Sequence, residues 1–278
     1  MYNSLFSLLL ILSFQNTIDD PEIKNLVWNR YVTSNFTILS IDNDQGQWMR
    51  NNLENIKIWC LTRWGLPDIK FSKECRIFCV PNHVLLKKLF NLDDSKVEIR
   101  RKDGAIEITA MWLALDDKPA KVLPIHLTEI VIAEFEEINK FKFAFWAKKG
   151  IAALNGVIPD IKNDLSSLKD AKLMSLESLL NFNQEQFLKL SAEKQKIFID
   201  QSVCLCLLLR KEFGEVKLHS FLKKSYQNGS NEAVQKVLGF VNVEDFEKTY
   251  SRYVSGLSKD ILEKATPDSY LQIKKAER

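Results

Sequence analysis

Apolar residues recur along this chain with two different periods, and the change of period divides it. Between residues 36 and 115 they come in short runs rich in β-branched and aromatic side chains: Phe36-Thr37-Ile38-Leu39-Ser40-Ile41, then residues 75–80, 96–101 and 105–115. Such runs predict strands. Lys102-Asp103-Gly104, between the last two runs, predicts a hairpin, because Asp-Gly accepts the positive backbone angles of a tight turn. Helical spacing interrupts the strands twice. Trp48, Leu53, Ile56, Trp59 and Cys60 predict a helix over 45–64, stopped by Gly65 and Pro67, and Pro81 opens a short helix carrying Val84, Leu85 and Phe90.

Beyond residue 123 the helical period dominates. Leu127, Val131, Phe135 and Ile138 form one stripe of a predicted helix over 124–139, with Pro124 in its first turn, where a missing N–H is tolerated. Another helix follows over 142–154. From Asp170 onward helices are expected at 184–190, 193–213, 215–226, 230–238 and 243–255, separated at Gly214, Asn228-Gly229 and Gly239. The apolar run 203–209 reads as the core of this half. The predicted fold is therefore α+β: a small mixed β-sheet with helices, then a mostly helical C-terminal part. The expected boundaries are an α+β subdomain over 30–155, a helical subdomain over 156–265 and a tail over 266–278.

Composition narrows the function classes. Across 278 residues, 39 basic and 36 acidic side chains leave a net charge of +3, spread without dense blocks beyond Arg100-Arg101-Lys102. That balance argues against a nucleic-acid partner. Residues 5–12, Leu-Phe-Ser-Leu-Leu-Leu-Ile-Leu, look like the apolar stretch of a secretory signal and are too short to span a bilayer. Residues 1–20 are accordingly expected to be a signal-like or anchor segment. The protein would then be exported, periplasmic or extracellular, or membrane-proximal, touching a membrane only through that segment if it is retained. Five cysteines, Cys60, Cys75, Cys79, Cys204 and Cys206, read as small buried hydrophobes, with a bridge from Cys60 to Cys75 or Cys79 as the alternative under export. Glu134, Glu136 and Glu137 read as a solvated face beside Lys140 and Lys142, and His83 and His219 as surface residues.

The stretch Leu123-Pro124-Ile125-His126-Leu127-Thr128-Glu129, followed by Phe145-Trp146-Ala147-Lys148-Lys149-Gly150-Ile151-Ala152, carries the chemical interest. It resembles the peptidase-MA-like domains of gluzincin-type zinc metallopeptidases, where L-P-H-E-L-T-H-V leads to R-W-L-N-E-G-L-A. In such a helix the two histidines of H-E-x-x-H face one way to hold zinc, and the glutamate between them polarises a water. Here Ile125 stands at the first histidine position, His126 at the glutamate, Glu129 at the second histidine and Lys149 at the third, glutamate ligand. Leu123, Pro124, Leu127, Thr128, Trp146, Gly150 and Ala152 keep the framework. Downstream, Gln201-Ser202, Phe213-Gly214, Leu218, Phe221-Leu222, Gly229, Ala233, Leu238-Gly239 and Phe246 follow the family's order.

What the resemblance implies is a metallopeptidase scaffold without its metal: Ile125, His126, Glu129 and Lys149 as degenerate active-site positions, no catalytic residues and no cofactor. Glu129 and Lys149 would face each other, free to pair directly or to stand solvated. In the family a strand ahead of the metal-binding helix forms the edge along which extended substrate lies. Ala110, Met111, Trp112, Leu113, Ala114 and Leu115 would correspond. The implied function is that of an inactive, metallopeptidase-like module binding a protein or peptide. Two alternatives stand beside it: an active zinc-dependent hydrolase using His126 and Glu129 with non-standard ligands, and a structural or assembly protein.

Overall fold

The computed structural model describes residues 25–115, 119–156, 165, 168 and 171–257. The expected signal-like segment over 1–20 and the tail over 266–278 lie outside these residues. Among the described residues the chain is α+β, with a five-stranded mixed sheet and a largely helical second half. It separates into two compact units. The first comprises residues up to Glu54 together with Lys73–Pro119, and the second comprises Asn55–Ser72 together with everything from Ala120 onward. The helices expected to belong with the sheet, over 124–154, thus fall in the helical unit, as does the stretch Asn55–Ser72.

The first unit is built on strands β1 (Asn29–Val32), β2 (Phe36–Ser40), β3 (Cys75–Val80), β4 (Lys96–Lys102) and β5 (Ala105–Ala114). Their spatial order is β1-β2-β3-β5-β4. β2, β3 and β5 run parallel, while β1 and β4 are antiparallel edges. All five residues of β2 are buried, the polar Thr37 and Ser40 included, as in a strand covered on both faces. Helix α1 (Asn43–Thr62) begins against this sheet, with Met49 Sδ 3.0 Å from the Cys79 thiol of β3. Glu54 on α1 fixes the entry to β2, accepting from the Asn35 backbone N–H at 2.8 Å and from Asn35 Nδ2 at 2.7 Å. On the other face Phe78, Phe90 and Trp112 form an aromatic cluster, with Phe78 and Trp112 stacked at 5.7 Å. Phe90 comes from helix α2 (His83–Phe90), capped by the Asn82 side chain.

The Asp-Gly hairpin forms between β4 and β5. Asp103 (φ 52°) and Gly104 (φ 82°) both adopt positive φ, as a tight hairpin turn requires. Its consequence for strand order corrects one expectation. Ala110, Met111, Trp112, Leu113 and Ala114 are not an edge: β5 pairs with β3 along one side and with β4 along the other, and Leu115 lies just past its end. The hairpin folds β4 back outside β5, so among the described residues the edge on this side of the sheet is β4.

The second unit holds helix α3 (Pro119–Asn139), α4 (Phe145–Asn155), α5 (Leu176–Asn181), α6 (Gln184–Leu188), α7 (Ala192–Asn228), α8 (Ser230–Ala233) and α9 (Val243–Ser255). α3 starts five residues before Pro124, so Pro119 takes the N-terminal position and Pro124 sits inside the helix. α7 is broken at Gly214, whose φ of 78° and ψ of 168° no helix permits. The run 203–209 is buried throughout, as expected of a core segment.

Candidate functional site

Helices α3 and α4 of the second unit carry the residues that the motif singles out. They pack antiparallel: Glu136 meets Lys148 near the start of α4, Glu129 meets Lys149, and Ile125 lies against Gly156 at its end. Between them Lys149 Nζ donates to Glu129 Oε1 at 2.6 Å, a contact spanning 20 residues of sequence. Both side chains are partly covered, at 29 % and 28 % exposure. The ammonium also lies over the rings of Phe145 (5.8 Å) and Phe187 (5.9 Å), one helical turn back on α4 and on α6. Aromatic faces attract a cation through their quadrupoles. Lys149 is therefore seated by a carboxylate and two rings.

Ile125 presents an aliphatic chain, so close to Gly156 that a Cβ there would stand 2.8 Å from its Cδ1. His126 is half-buried on the same helix. His83 and His219 are also half-buried, and burial together with the neighbouring Lys223 pushes the His219 imidazole below its ordinary value.

These residues do not fit a zinc ion. Glu129 is engaged by an ammonium and Ile125 offers no donor. A divalent ion about 4 Å from that ammonium would be opposed by roughly 8 kcal/mol at an effective dielectric of about 20. Among the described residues no group of three or more His, Cys, Asp or Glu side chains is placed to hold a metal.

A second cross-link runs beside the first, and the sequence reading missed it. Lys148, next to Lys149, reaches Glu136 at 2.7 Å, and the same carboxylate accepts from the Phe143 backbone N–H at 2.7 Å. Glu129 and Glu136 lie seven residues apart, two turns of one helix face. Glu134 accepts from the Ser72 backbone N–H at 2.8 Å. Glu134 and Glu136 are thus buried, at 0 % and 7 % exposure, and the expected solvated face is corrected. Free backbone N–H groups of the adjoining loops supply the partners that a carboxylate needs away from water.

Toward the other end of the helix pair lies a buried polar network. Asn155 Nδ2 donates to Thr128 Oγ1 at 2.7 Å and to the Cys60 carbonyl at 3.3 Å, while Asn155 Oδ1 accepts from the Trp64 indole N–H at 2.9 Å. Thr128 in turn donates to the Pro124 carbonyl at 2.6 Å. Thr128 was visible in the motif, but Asn155 was not. Its partners are 91, 95 and 27 residues away, and no local pattern announces them.

Among the downstream positions, Ser202 packs directly on this helix pair. Gly150 lies against α7 so closely that a Cβ would stand 2.6 Å from the Ser202 carbonyl oxygen. Gln201 clasps both backbone groups of Met174, at 3.0 and 2.9 Å, and its own carbonyl accepts from Tyr250 at 3.2 Å. Phe246 and Tyr250 are buried on α9. All five cysteines are buried thiols outside any disulfide, so the bridge from Cys60 to Cys75 or Cys79 is not made. No helix among the described residues is long and apolar enough to cross a membrane. No protein-family model and no curated protein matches this chain.

Proposed function

We propose that this chain is a catalytically inactive relative of gluzincin-type metallopeptidases, exported or membrane-proximal, that works as a protein- or peptide-binding module. One observation carries the reading. The two positions that the motif assigns to the second and third metal ligands are in contact, and an internal ammonium–carboxylate pair at 2.6 Å joins them. A pair of helices that a metal ion would cross-link is here cross-linked by side chains alone. Water activation by a metal has no place in such an arrangement.

Binding needs no metal. An extended segment adds to a free sheet edge through backbone hydrogen bonds. Among the described residues β4 pairs only with β5, so on the β5 side of this sheet it is β4 that offers those groups in place of Ala110–Leu115.

Zinc analysis and a protease assay on an unstructured protein substrate test the reading. The purified chain should contain no stoichiometric zinc and leave the substrate intact. The combined variant Ile125→His, His126→Glu, Glu129→His, Lys149→Glu rebuilds the ligand set and should take up zinc. Tightly bound zinc in the unaltered chain, lost on His126→Ala, would overturn the proposal in favour of an active hydrolase.

A further inference from the structure

We infer that the β4 edge selects an acidic extended segment, an inference that rests on the strand-addition reading above. β4 has the sequence Lys96-Val97-Glu98-Ile99-Arg100-Arg101-Lys102, with its first residue and its last three exposed. Four cations stand against one carboxylate. That carboxylate, on Glu98, is held by Arg100 at 2.7 Å. Asp103 follows in the turn, and Arg101 Nη1 donates to the Gly104 carbonyl at 3.2 Å, which ties the tip of the hairpin. The strand therefore presents a pre-ordered basic edge.

Charge on an edge strand ordinarily prevents self-pairing. Here a second copy would bring one basic edge against another. An acidic strand meets no such repulsion and gains cross-strand pairs of opposite charge. Side chains alternate between faces, so Lys96, Glu98 and Arg100 share one face and Val97 and Ile99 the other. The register with β5 agrees: Lys96, Glu98 and Arg100 stand opposite Trp112, Ala110 and Ile108, and Val97 and Ile99 opposite Met111 and Thr109. The fitting partner therefore alternates acidic and apolar residues, its acids on the Lys96–Arg100 face. Arg101 and Lys102, the other two of the four cations, follow the register irregularity at the end of the strand.

Fluorescence anisotropy with three capped peptides of about eight residues tests this. One alternates Glu with Val, one Lys with Val and one Ser with Val. The glutamate peptide should bind at least about tenfold tighter than the lysine peptide at low salt, and the gap should close as salt screens the edge. The variant Lys96→Glu, Arg101→Glu, Lys102→Glu, all at exposed positions, should reverse the order. Equal binding of the three peptides would overturn the charge selection and leave strand addition standing. Binding of none would overturn strand addition itself, and this inference with it. Glutamate-peptide affinity unchanged in the reversed variant would place its binding elsewhere and overturn the assignment to β4.

Discussion

Lys149 and Glu129 meet at 2.6 Å between two antiparallel helices that Asn155 and Thr128 also join, at 2.7 Å. One link is charged and partly exposed, the other neutral and buried. They should respond differently to mutation.

For the charged link, a partly covered pair lies between the small worth of an exposed bridge and the large cost of breaking a buried one. Lys149→Ala or Glu129→Ala should each destabilise the protein by about 1–3 kcal/mol. The double variant should lose less than the sum, with a coupling of about 0.5–3 kcal/mol in urea unfolding. Full additivity would contradict direct contact.

The neutral link allows a sharper loss. Asn155→Ala strands the buried Trp64 indole N–H and the Cys60 carbonyl, and should cost about 1–3 kcal/mol for each group left unsatisfied. Adding Trp64→Phe removes one orphan. The second substitution should therefore cost less in the Asn155→Ala background than in the unaltered chain, as denaturant titration would show.

Gly150→Ala tests the approach of α4 to α7. Its methyl would stand 2.6 Å from the Ser202 carbonyl and 2.8 Å from the Cys206 thiol. Backbone must move, so a loss of about 1–3 kcal/mol is expected from overpacking, although alanine is the better helix former. Unchanged thermal stability would refute the close packing.

Alkaline pH should destabilise the fold through its thiols. Burial pushes Cys60 from an ordinary 9.0 to about 12, and raises Cys79, Cys204 and Cys206 as well. The unfolded chain then releases protons that the native state retains, so stability is intact below pH 9.0 and falls as pH rises toward about 12. Each such thiol adds a slope of about 1.4 kcal/mol per pH unit. Unfolding by urea across this range, with the thiolate ultraviolet band followed alongside, should show both changes together. A native protein whose thiols ionise near 9.0 would exclude their burial.

Local chemistry made much of this structure legible. Asp103-Gly104 announced its hairpin, Gly214 its break and the run 203–209 its burial, because each depends on residues close in sequence. Strand order was not legible. The edge assigned to Ala110–Leu115 came from the resemblance alone, whereas the hairpin places the earlier strand, β4, outside the later one. Charge patterning misled for a related reason. Glu134 and Glu136 sit in a polar run, and only the fold brings them the N–H groups of Ser72 and Phe143. Proline position was ambiguous too, since Pro119 and Pro124 both suit a helix start and the helix uses the earlier.

The sealed, uncrosslinked thiols bear on what holds such a chain together. No cystine ties one element of the described fold to another. Packing, hydrogen bonds and ion pairs alone hold the described fold together, and a reductant has no bond in it to break.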